Sequence, residues 1–147
     1  MKKIPILFAG MLLVLGACVT FKVDEDEITK IIKLINAGDN KKLAQITQIP
    51  FLLDGEIIAL QDDAGLLWQN LAQAKFTMQN AELVELVPVD KDTYKLFADT
   101  WEVDVFFKKY VPPKSMLAKL KADNGNFLLL LDGEKKGYAQ ILGIKGP

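Results

Sequence analysis

Ile28, Ile31, Ile32 and Ile35 recur at i, i+3, i+4 and i+7 with Lys30 and Lys33 between them, the single apolar stripe of an amphipathic helix. Asp24, with Glu27 three residues on, is an N-cap signature, and Gly38 is a stop signal. Asp39 can then cap a short second helix carrying Leu43 and Ile46. That helix has to end before Pro50, because the residue preceding a proline is pushed out of the α region. Asp54-Gly55 between residues 51–53 and 56–58 is a two-residue hairpin signal, with the glycine available for positive φ. Asp62 or Asp63 is expected to cap a third helix, in which Leu67 and Leu71 lie one turn apart beside Leu66 and Trp68.

Beyond the third helix the pattern changes to β-rich runs at 81–87, 93–109, 116–122, 127–131 and 138–144. They are separated by residues 88–92, Pro112-Pro113, Asn124-Gly125 and Asp132-Gly133, which predicts an antiparallel meander. The Met, Leu, Ala and Lys of 116–122 would also suit a helix, and it is the Asn124-Gly125 turn that favours strand pairing there. A strand over 93–109 alternates so that Phe97, Asp99, Trp101, Val103, Val105 and Phe107 share one face. Asp99 would then be a carboxylate among aromatics, with its pKa raised by desolvation, the setting of a general acid or base. A β-bulge would turn the same residue to water. Trp68, Phe97, Trp101 and Phe107, with Asp99, are therefore the residues expected to line an apolar ligand pocket. The plainer reading is that these large rings fill the core that a domain of this size needs.

At the N-terminus Met1-Lys2-Lys3 precedes twelve uncharged residues, Ile4 to Leu15, the pattern of a secretory signal. Twelve helical residues rise about 18 Å, against a hydrocarbon core of about 30 Å, so this stretch is too short to span a membrane as a helix. Leu15-Gly16-Ala17-Cys18 follows directly and resembles the lipobox of bacterial lipoproteins. The resemblance implies cleavage after residue 17, a diacylglycerol on the Cys18 thiol and usually a further acyl chain on the new amino terminus. Several chains anchor where one would bind only reversibly. Val19, rather than aspartate, follows the cysteine, and by resemblance to the sorting rule of enteric bacteria this points to the outer membrane with the domain facing the periplasm. The inner membrane and the cell surface stay open.

The expected organisation is thus a signal peptide over 1–17, a lipidated tether over 18–23 and one domain over 24–147. Losing Lys2 and Lys3 with the signal leaves 130 residues carrying 16 lysines against 19 acids. That balance gives no electrostatic case for nucleic acid. The chain has no histidine and no arginine, one cysteine and a single serine, Ser115. A Ser-His-Asp triad and an imidazole metal site are excluded, as is a bidentate guanidinium grip on phosphate. Acidic pairs such as Asp62-Asp63 lack the ligand spacing of a calcium loop, so no metal and no cofactor is expected.

The order of elements, together with Ile35-Asn-Ala-Gly-Asp39 at the inter-helix turn and Pro50-Phe-Leu-Leu-Asp-Gly55 in the first strands, resembles the NTF2-like superfamily. That superfamily contains nuclear transport factor 2, ketosteroid isomerase and SnoaL-type cyclases. The resemblance spans roughly residues 24 to 144. It implies an α+β cone in which N-terminal helices pack on a curved antiparallel sheet, with a pocket at the wide end. A cystatin-like helix-on-sheet fold is the alternative. Because the superfamily includes enzymes, binding modules and dimerisation domains, fold does not choose among functions. An isomerase or cyclase would need Asp99 as base and Tyr94, Tyr110 or Trp101 as donor. The opening helix offers no tyrosine, and the cyclase chemistry depends on a histidine that is missing. The expectation is a membrane-anchored lipoprotein whose domain binds a protein partner or a small apolar ligand without catalysis, with an enzyme and a homodimeric interaction module as the competing readings.

Overall fold

A computed structural model of the chain describes residues 23–133 and 139–147. The signal sequence, Cys18, most of the tether, Lys135-Lys136 and Tyr138 lie outside the described residues. Helix α1 (Glu25–Ala37) begins where its cap signal stands: the Asp24 carboxylate accepts from the Glu27 N–H at 3.0 Å, and the helix stops at Gly38 in the left-handed region. Ile28, Ile31 and Ile35 are buried along its inner stripe. Val23, expected as the last residue of the tether, is packed into the same core. Helix α2 (Asn40–Gln45) is capped by the Asp39 carboxylate, which accepts from the Lys42 N–H at 3.1 Å.

Helix α3 (Gln61–Gln73) starts earlier than expected. Its N-cap is Leu60 without a side-chain bond, so Asp62 and Asp63 sit inside the first turn, where they complement the positive end of the helix dipole instead of capping it. Strands β1 (Thr47–Leu53) and β2 (Glu56–Ile58) form the expected two-residue hairpin, with Leu53 opposite Glu56. The left-handed residue of that turn is Asp54, at φ 54°, rather than the glycine. What Gly55 provides is close approach, because a Cβ there would lie 2.9 Å from the Ala98 Cβ.

Strands β3 (Glu82–Pro88), β4 (Met116–Ala122), β5 (Gly125–Asp132) and β6 (Gln140–Lys145) form the meander, and the six strands order as β2-β1-β6-β5-β4-β3. The sheet is mixed rather than wholly antiparallel, because β1 joins β6 in parallel. Register shifts between Thr47 and Leu52, Leu83 and Glu85, and Leu130 and Leu131 break its regularity and favour curvature. The α+β class, with the N-terminal helices packed on a sheet, is the architecture found.

The strand expected over 93–109 is not a strand. A 3-10 turn (Thr93–Leu96) leads into helix α4 (Trp101–Tyr110), which lies on the sheet face opposite α1, α2 and α3. Thr100 caps α4 by accepting from the Val103 N–H, Glu102 and Asp104 occupy its first turn, and Lys108 and Lys109 its last. Val103, Phe106 and Phe107 are its buried residues, spaced for a helix.

Both faces of the sheet are therefore covered. Along β5, Phe127, Leu129 and Leu131 point to the three-helix layer, and Leu130 to α4. The unbroken run Leu128–Leu131 is the sequence of a strand buried on both sides.

Candidate functional site

The five residues expected to line one pocket are not brought together. Trp68 is buried in the layer of α1, α2 and α3, where its ring packs against Phe51 at 6.3 Å between centroids. Its indole N–H donates to the Thr47 hydroxyl at 2.9 Å, which in turn donates to the Leu43 carbonyl at 2.7 Å. Phe97 and Phe107 lie on the other side of the sheet, in ring contact at 5.8 Å. Asp99 is exposed in the short link between the 3-10 turn and α4, with Lys95 as a charged neighbour. Trp101 is 74% exposed.

Strand alternation across 93–109 would have grouped Asp99 and Trp101 with the two phenylalanines. Helix formation from Thr100 onward rotates them to solvent instead. The donors proposed for an Asp99 base are dispersed as well. Tyr94 is in the 3-10 turn and packs on Phe107 at 6.5 Å, while Tyr110 is at the far end of α4, about 15 Å along a ten-residue helix.

Among the three helices, the space lined by Ile35, Leu43, Trp68, Leu71 and Phe76 amounts to ≈ 10 Å³. That is about the volume swept by the centre of one water. The larger concavities are open and lie on the outside. One, of ≈ 590 Å³, is a shallow hollow between α2 and α3, lined by Lys41, Ala44, Gln61, Asp62, Leu66 and Gln69 among others. A second, of ≈ 310 Å³, is a groove at the β3–β4 edge of the α4-side layer, beside the 3-10 turn. Its apolar floor is Val87, Leu96 and Leu117, and Asp90, Asp92 and Lys119 stand around it. A smaller hollow of ≈ 160 Å³ lies on the other side of Asp90, against Phe107 and Lys108 of α4.

Asp90 is the pivot of this outer surface. Its carboxylate accepts from the Asp92 N–H at 2.9 Å and from the Thr93 hydroxyl at 3.0 Å, and its own N–H donates back to that hydroxyl at 2.9 Å. The Asp92 amide first, and the Thr93 hydroxyl next, hold the Asp90 carboxyl below the ordinary carboxylate range. Asp90 thus contributes a fixed negative charge to the rim at neutral pH. Asp92 bonds Lys95 and raises that ammonium above its usual value. Lys119 pairs with Glu85 on β3 at 2.6 Å. An apolar trough with fixed charges of both signs on its rim suits a protein segment that presents apolar and charged side chains together.

Among the described residues no group of three or more Asp, Glu, His or Cys side chains is placed to hold a metal ion, and no helix is long and apolar enough to cross a membrane. No protein-family model matches the chain, and no curated protein does.

Several solved structures are similar to it. A DUF4783 family protein from Bacteroides ovatus ATCC 8483 aligns over 85% of this chain and 94% of its own, at 13% identity and a TM-score of 0.45. A DUF4783 family protein from Bacteroides fragilis YCH46 aligns over 78% and 91%, at 10% identity and a TM-score of 0.38. "Rd1NTF2_05 with long sheet", a designed NTF2-like protein, aligns over 85% and 99%, at 14% identity and a TM-score of 0.42.

Sequence reasoning missed Asp90, Asp92 and Thr93 as a unit. The signal was present: Asp-Lys-Asp-Thr after a strand ending in proline is a side-chain-stabilised turn, in which short polar groups bond the backbone two and three residues on. It was absorbed into the separator before a supposed strand.

Proposed function

We propose that this chain is a lipoprotein held in a membrane through Cys18 and facing the periplasm, with an NTF2-like domain that binds a protein partner on its outer surface and catalyses no reaction. The succession of two helices, a hairpin, a third helix and a four-strand meander supports the NTF2-like reading. The observation that carries the binding mode is the open outer groove of ≈ 310 Å³, where the space among the three helices lined by Ile35, Leu43 and Trp68 is only ≈ 10 Å³. A small apolar ligand needs an enclosure that buries most of its surface, whereas a partner protein can use an open trough whose rim charges fix register.

Two measurements test this. Growth on radioactive palmitate should label the full-length chain, with the label lost in Cys18→Ser; an unlabelled native protein removes the anchor. Solvent extraction of the native protein followed by mass spectrometry should yield no stoichiometric lipid. A reproducibly co-purified lipid would replace the protein-partner reading with the small-ligand one.

A further inference from the structure

We infer that the last residues of α4 and the turn after it, residues 108–114, are a contact site for an anionic lipid surface and set how the anchored domain stands on its membrane. The inference rests on the Cys18 anchor. Strand register supplies the position. β4 begins at Met116, which lies opposite Leu131; Leu131 lies opposite Ile141, and Asp132 opposite Gln140. Just before β6, the Ala139 N–H donates at 3.1 Å to Glu27 in the first turn of α1. The start of α1, where the chain from Cys18 enters, and the turn leading into β4 therefore occupy the same end of the sheet. Only β5 separates β4 from β6, so the two points are about 10 Å apart laterally, twice a strand spacing. Val23 is five residue steps on from Cys18, a reach of at most about 18 Å. The anchor thus holds this end of the domain within that distance of the bilayer.

The sequence at that end is Lys108-Lys109-Tyr110-Val111-Pro112-Pro113-Lys114, with no acidic residue in it. Its three lysines and Pro113 are exposed, and Tyr110 is 44% exposed. Lys108 is steadied by Asp104 one turn back, while Lys109 and Lys114 have no acidic partner among the described residues. Lysine ammonium groups on flexible stems and an amphipathic phenol between them match a boundary of anionic headgroups and acyl chains.

The turn is also built rigidly. The Ser115 N–H donates to the Pro112 carbonyl, the Val89 N–H donates to the Ser115 carbonyl, and two prolines restrict the backbone, so little freedom is lost on contact. Three lysines would hold a free protein weakly, but tethering turns the contact into an intramolecular one at high effective concentration. On the opposite sheet face, Asp24, Glu25 and Asp26 at the start of α1 are repelled by the same surface. The domain should therefore lean toward its α4 side.

The test uses the full-length lipidated protein with an environment-sensitive fluorophore on Pro113→Cys. It is reconstituted into vesicles of phosphatidylcholine alone or mixed with phosphatidylglycerol, and flotation is measured beside the emission spectrum. The expected result is flotation with both vesicle types and a blue shift confined to the phosphatidylglycerol vesicles. The shift should be abolished by adding Lys109→Glu and Lys114→Glu, with flotation retained. A protein that does not float, or a Cys18→Ser variant that floats as well as the parent, overturns the anchor. Flotation with identical spectra in both vesicle types, or a shift that survives the charge reversals, overturns the lipid contact while leaving the anchor standing.

Discussion

The two faces of this sheet are covered by helices that are held in different ways. On the α1–α3 side, buried polar groups tie distant segments to one another. Thr47 links Trp68 to the end of α2, Asn36 exchanges two hydrogen bonds with the Met78 backbone at 2.7 and 3.2 Å, and Glu27 reaches Ala139 across 112 residues of sequence. On the α4 side the contact is mainly ring on ring. Phe107 meets Phe97 and Phe106 at 5.8 and 6.0 Å between ring centroids, in one buried cluster with Leu52, Leu117, Leu130 and Leu142, and Lys145 at the margin donates to the Leu96 and Phe97 carbonyls at 2.8 Å. Apolar packing is non-directional, while a buried hydrogen bond has one partner and one geometry. The three-helix face is thereby specified uniquely, and the α4 face is a layer that can open as a unit.

The largest way to break this contrast is Trp68→Ala. It removes the biggest side chain of the inner core, leaves a cavity and strips the Thr47 hydroxyl of its donor, and it should cost about 4–5 kcal/mol in urea unfolding. A loss below about 2 kcal/mol would mean that the inner layer collapses around the gap and is not jigsaw-packed.

Phe107→Ala comes next, at about 3 kcal/mol, because its ring is 8% exposed and its neighbours Phe97 and Tyr94 can relax toward the gap. Its signature lies in where the molecule opens. Amide exchange should already be faster through α4 than through α1 in the parent, and the substitution should accelerate α4 further while α1 keeps its protection. Equal protection of the two helices in the parent removes the distinction between the faces.

Thr47→Val sharpens it from the inner side. The shape is kept, but the Trp68 indole N–H is left without an acceptor in a buried site, which should cost about 1–3 kcal/mol. A neutral result would mean that the hydrogen bond merely accompanies the packing.

The same contrast explains what could be read from the chain. The inner layer was legible because its signals are local and mutually consistent: Asp24 and Asp39 cap, Ile28 to Ile35 stripe, Gly38 stops, and Asp54-Gly55 turns. The outer layer was misread because Val103, Val105, Phe106 and Phe107 are the residues strands favour, and alternation over 97–107 fitted as well as a helical stripe. What should have decided it was charge order and capping: Thr100 before Glu102 and Asp104, then Lys108 and Lys109 at the far end. Losing the helix lost the site. Asp99 and Trp101 joined the pocket residues only on a strand, and the groove beside Asp90 is bordered by the 3-10 turn that replaces the start of that strand. The parallel β1–β6 pairing was not visible either, because it joins segments far apart in the chain and no turn chemistry marks it.

The weakest tie tested is the one the charge order of α4 provides. The Lys108 ammonium meets the Asp104 carboxylate at 2.6 Å with its own side chain 71% exposed, so solvent screens the pair heavily. The Asp104 hydrogen bond, more than its charge alone, raises the Lys108 pKa above the ordinary lysine value. A raised lysine contributes stability in full at pH values below the unfolded pKa and loses it as pH rises through the folded one. Asp104→Asn should therefore lower the urea midpoint of the α4 opening slightly and by a constant amount across the neutral range. The gap should narrow toward strongly alkaline pH, and it should shrink in high salt. A deficit that persists unchanged in high salt would show that Asp104 acts on α4 through something other than the ion pair, and α4 would then carry a directional tie of the kind Thr47, Asn36 and Glu27 provide on the opposite face.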